Sequence, residues 1–66
     1  MSSSRRAIFR YDVDDRVWLV EFPDEPGCHT YGETLEDARA NAFEALQVWL
    51  DVEDVRVIED VVPIPH

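Results

Sequence analysis

Cys28 and His29 stand side by side in this sequence, and a second histidine, His66, closes it. These are the side chains best suited to hold a soft metal ion. A structural zinc site normally takes four ligands at defined spacings, whereas this set supplies at most three. Neighbours on an extended segment also point to opposite faces. A Cys-His nucleophile fails on the same geometry, because the pair has no orienting third group. The carboxylates of Asp12, Asp14, Glu21 and Glu44 invite comparison with nucleases that hold a divalent ion between clustered acids. The patterning puts Asp12 on the sheet face away from the helix, Asp14 in a turn and Glu44 towards solvent, so they do not converge. Phe9, Tyr11, Trp18 and Trp49 would suit a stacking platform for bases, but no basic groove surrounds them, and core packing is the better assignment. No catalytic, metal or cofactor site is expected, and the chain is read as a non-enzyme.

The elements that position these residues follow from the pattern of the chain. At 66 residues it is expected to form one domain with a marginal core, the kind of fold that gains stability by association. It carries 15 acids against six basic residues, all arginine, for a net charge of −9. Such a surface repels nucleic acid and suits a basic protein partner; ordinary solubility is the competing explanation. No apolar run is long enough to span a bilayer, the start MSSSRR has no leader-like segment, and a single cysteine forms no internal disulfide. The expected location is the cytoplasm.

Residues 1–5 read as a frayed tail. Arg6 to Val13 alternates as a strand, Asp14-Asp15 forms a two-residue turn, and Arg16 to Phe22 returns as a second strand stopped by Pro23. In that register Tyr11 faces Trp18, Phe9 faces Val20 and Ala7 faces Phe22 on the core side, with Val13 opposite Arg16. Ile8, Arg10, Asp12, Val17, Leu19 and Glu21 fall on the other side. Pro23 to Gly27 is a turn, and Cys28 to Tyr31 is a short strand ended by Gly32. Thr34 is a helix cap, with Asp37 at the capping-box position. From Leu35 to Leu50 the apolar stripe is Leu35, Ala38, Ala42, Ala45, Leu46 and Trp49, with Phe43 and Leu50 beside it and Val48 outside it. Asp51, Glu53 and Asp54 oppose the negative end of the helix dipole and should stop it. A last strand lies within Val55 to Val62, ahead of Pro63-Ile64-Pro65.

The stretch PDEPGCHTYGETLEDARANAFEALQVWL resembles the HicB family of antitoxins. The resemblance is carried by Pro23, Pro26, Gly27, Cys28 and Thr30, by the helix entry Gly32, Glu33, Thr34, Leu35 and Glu36, and by Ala38, Asn41, Ala42, Ala45, Leu46 and Leu50. Trp18 ahead of the turn and the closing Pro63-Ile64-Pro65 fit the same pattern. The resemblance implies an α+β fold of βββαβ order, a partial ribonuclease-H-like fold without nuclease activity: an antiparallel three-stranded sheet, a final strand and one helix on one face. It also implies a partner, a small basic HicA-type toxin that cleaves mRNA. Many members carry a helix-turn-helix or ribbon-helix-helix domain after this region, whereas this sequence stops at His66, so direct nucleic-acid binding is not expected of it.

Two surfaces follow as expectations. One helix covers one sheet face, so Ile8, Arg10, Val17 and Leu19 are expected to meet another copy in a dimer or tetramer. Given the family, Asp24, Glu25, Asp51, Glu53 and Asp54 are expected to face the toxin, with ordinary solvated charge as the alternative. A self-associating structural or regulatory domain without a toxin is the second functional class considered.

Overall fold

In the computed structural model, which describes residues 3–64, four strands and one helix follow in the order β1 (Ser3–Asp12), β2 (Val17–Glu21), β3 (His29–Gly32), α1 (Leu35–Leu50) and β4 (Val55–Val61). The sheet runs β3-β2-β1-β4, antiparallel except for the parallel pair of β1 with β4. The α+β class, the βββαβ order and the single covering helix are as expected and consistent with a partial ribonuclease-H-like fold.

The hairpin register holds, with Tyr11 opposite Trp18 and Phe9 opposite Val20. Tyr11 and Trp18 meet edge to face, ring centroids 5.3 Å apart, a favoured aromatic geometry. The turn is longer than the two residues expected. The ladder stops at Asp12 and Val17, leaving Val13 to Arg16 as the loop. Asp12 is the cause. Its Oδ1 accepts from the backbone N–H groups of Asp14 and Asp15, its carbonyl accepts from Arg16 at 2.7 Å, and Arg16 turns to a φ of 59°. An aspartate that bonds its own following amides offers the backbone an alternative to the ladder.

β1 starts at Ser3, so Ser3 to Arg5 are strand and not the frayed tail expected of them; residues 1 and 2 lie outside the described residues. The reason is non-local. β4 lies alongside in parallel, pairing Ser3 with Val55 and Arg5 with Val57. The third strand is shifted one residue from expectation, covering His29 to Gly32.

The helix begins and ends as the sequence requires. Thr34 is extended (φ −123°) and its Oγ1 accepts from the Asp37 amide at 3.0 Å, while Asp51 ends the helix in a left-handed turn at φ 55°. Ala38, Ala42 and Leu46 are fully buried against Ala7, Phe9 and Val20. The alanines let the helix sit close to an aromatic sheet, and Gly32 carries the closeness furthest, since a Cβ there would fall on the backbone of Asp37 and Ala38. Trp49 departs from the expected stripe and is 48% exposed.

Candidate functional site

The turn from Pro23 to Gly27 is built by two successive backbone bonds, Glu25 N–H to the Phe22 carbonyl and Cys28 N–H to the Glu25 carbonyl, each 3.0 Å. It delivers Glu25 between two donors. Arg5 Nε donates to Oε1 at 2.6 Å, and Trp49 Nε1 donates to Oε2 at 3.0 Å. The Arg5 hydrogen bond first, and the Trp49 bond second, hold this carboxyl below its ordinary range. The Trp49 ring lies over Gly27, which takes a φ of +93°, a conformation that favours glycine. Sequence periodicity placed Trp49 in the core; its indole N–H, which needs an acceptor, is the feature that pointed elsewhere.

The five acids expected to face a partner therefore divide. Glu25 is largely shielded and committed to Arg5 and Trp49. Asp24 is exposed, with Arg6 at 3.9 Å. Asp51, Glu53 and Asp54 are exposed just beyond the helix, where Gln47 Nε2 donates to the Glu53 carbonyl and Ser3 N–H to the Asp54 carbonyl. Because Trp49 joins the turn to the last helical turn, both groups of acids lie at the same end of the molecule.

On the open sheet face, Ile8, Arg10, Val17 and Leu19 share one side of β1 and β2, as expected. They are joined by Tyr31 and His29 from β3 and by Arg56, Ile58 and Asp60 from β4. Leu19 is 37%, Ile58 50% and Tyr31 61% exposed. The charges balance, with Arg6, Arg10 and Arg56 set among Asp12, Glu21 and Asp60. The helix side differs sharply. It carries Glu33, Glu36, Asp37, Glu44, Asp51, Glu53 and Asp54, while Arg5 and Arg39 on it are bonded to Glu25 and Glu59 and Arg16 lies in the β1–β2 loop.

Cys28 is a buried core residue, its thiol pKa pushed up by burial first and by the nearby Glu25 charge second. His29 is exposed on the opposite face, and His66 lies outside the described residues. Among the described residues no three His, Cys, Asp or Glu side chains are gathered as a metal site would need. Asp12 serves its own turn, Glu21 lies on the open face and Glu44 sits on the exposed side of the helix, so the structure does not bring them together. No helix of the described residues is long and apolar enough to cross a membrane.

Residues 7–65 match the family model described as HicB_like antitoxin of bacterial toxin-antitoxin system. A Thermotoga maritima protein named only as a UPF0150 protein is 40% identical over 45 residues, 68% of this chain and 60% of the relative. Antitoxin HicB 2 of Photorhabdus laumondii subsp. laumondii is 39% identical over 51 residues, 77% of this chain and 37% of the relative. A UPF0150 protein of Archaeoglobus fulgidus is 33% identical over 39 residues, 59% of this chain and 56% of the relative. The matches thus span less than two thirds of these relatives' lengths. No solved structure matches the chain.

Proposed function

The chain belongs to the HicB-like antitoxin family, and we propose that it neutralises a small, basic HicA-type toxin in the cytoplasm by covering the surface with which that toxin cleaves mRNA. The observation that carries this reading is the segregation of charge. Acids crowd the helix side, where Arg5 and Arg39 are already paired, and the open sheet face is balanced. A basic RNA-binding surface is drawn to the first and indifferent to the second. The chain acts by occupancy, making and breaking no bond. Its own acidity keeps RNA and DNA phosphates away. Co-expression with a HicA-type toxin encoded beside its gene is expected to restore growth, and Asp51→Arg with Glu53→Arg is expected to slow the association of the purified pair. A toxin that stays lethal and fails to bind the purified chain overturns the reading.

A separate observation supports a second reading, self-association through the open face. Leu19, Ile58 and Tyr31 are part-exposed apolar groups set among equal numbers of arginines and acids. A charge-balanced patch offers no net repulsion to the same patch on a second copy, and a two-fold contact brings identical patches together. The two readings use different faces, so one molecule accommodates both.

A further inference from the structure

β3 forms one edge of the sheet, and among the described residues its outer side has no strand partner. Edge strands are commonly guarded by shortness, lysines, prolines or a covering element; β3, His29-Thr30-Tyr31-Gly32, is short but carries no lysine or proline. What lies beside it is a trench. Two hollows, about 370 and 520 Å³, meet at Thr30 and Asn41 and together run the length of β3 between the strand and the helix. Asn41 straddles the join, its Nδ2 donating to the Tyr31 carbonyl at 2.8 Å. That carbonyl already takes a hydrogen bond from outside its own sheet.

The trench has a one-sided chemistry. Its charged walls are Glu33, Asp37 and Glu44, with no arginine, and its apolar end is lined by Ala45, Val48 and Trp49. Val48 is 76% exposed. It also borders the neighbouring hollow with Asp51 and Glu53, so the acidic lining continues past the helix end.

We propose that this trench is where a partner is gripped: an extended, basic segment of the partner protein lies along β3 as a fifth strand. Its main chain bonds the outward β3 groups that Asn41 leaves open, its arginine or lysine side chains meet Glu33, Asp37 and Glu44, and an apolar side chain on the alternate register enters the Ala45–Val48–Trp49 end. Strand addition takes affinity from main-chain bonds and specificity from pockets for alternate side chains. The inference rests on the toxin-binding reading above and gives that binding an address.

The test uses a capped, alternating Arg-Val octapeptide as probe, with nitrogen-15 spectra of the whole chain to locate it. Shifts confined to residues 29–33, 37 and 40–49 are expected, together with slowed exchange of β3 amides. Methylating alternate peptide nitrogens, which removes edge donors, is expected to weaken binding about tenfold or more. Glu44→Arg and Val48→Asn, both at exposed helical positions outside the core, are each expected to weaken it about tenfold, the first by reversing a charge and the second by removing the apolar contact. Shifts on the open sheet face, shifts only near Asp24 and Asp51, equal affinity of the methylated peptide, or no binding would each overturn the proposal. Co-expression separates the two levels. If the toxin is neutralised equally well by Glu44→Arg and Val48→Asn, the trench assignment falls while the antitoxin reading stands; if the unaltered chain neutralises no toxin, the reading itself falls.

Discussion

Trp49 donates its indole N–H to Glu25 across 24 positions of sequence, at 3.0 Å, and the same carboxylate holds Arg5 on β1. One side chain thus ties the Pro23–Gly27 turn, the last turn of the helix and the start of the sheet. The consequence is a pH dependence with a defined sign. The folded-state pKa of Glu25 lies below its ordinary 4.5, so its contribution is fully present above 4.5 and is lost as pH falls through the lower folded value. Glu25→Gln keeps an acceptor for Trp49 and removes the charge that Arg5 meets. It is expected to lower the urea midpoint at neutral pH, with the gap from the unaltered chain closing on acidification. A gap that stays constant down to about pH 3 refutes the linkage.

Gly32 and the first turn of the helix are too close for a side chain between them. Gly32→Ala is expected to cost about 2 kcal/mol or more, because backbone must move to admit the methyl. Circular dichroism during urea unfolding measures it. A cost below that of Thr34→Ala, about 1 kcal/mol for a lost cap, would mean that β3 and the helix separate easily.

Asp51 sits in a left-handed conformation at the negative end of the helix. Asp51→Asn keeps the backbone preference and removes the opposing charge, for a gain of about 0.3–1 kcal/mol. Asp51→Gly relieves the left-handed turn as well and is expected to be at least as stable. Thermal melts of both variants check the order, and a loss of stability in both refutes the assignment.

Leu19 lies at the centre of the balanced open face, between Arg10 and Tyr31 on its neighbouring strands. Leu19→Asp is expected to lower the mass seen by light scattering while leaving the monomer folded. An unchanged mass removes this face as the contact between copies.

Much of this architecture was legible in the residues, for reasons that differ by element. The helix declared both ends, because Thr34 can cap, and because Asp51 to Asp54 oppose the dipole that Glu36 and Asp37 favour. The hairpin register followed from centring the turn on Asp14-Asp15, which the longer loop preserves, and a slip by one would have turned Phe9 and Val20 outward. What escaped was whatever depends on a distant partner or a local competitor. Ser3 to Arg5 carry no apolar pattern, and they are strand because β4 runs beside them. Asp12 lengthened the turn by accepting from the amides of Asp14 and Asp15. At the candidate site, the acids could be counted but not their commitments: Glu25 looks like Asp24 in a sequence, and only the fold reveals that it is spent on Arg5 and Trp49. The trench was hidden for the same reason, since Asn41 meets Tyr31 only after the helix has packed.

The parallel pairing of β1 with β4 has a kinetic meaning. The strand made among the first residues acquires its second neighbour only when residues 55–61 have followed, whereas the hairpin and the helix close over short loops. Contacts of such long sequence separation carry the larger closure entropy and form late. The hairpin and helix are therefore expected to form first, with annealing of the last strand onto the first as the later step that completes the native topology.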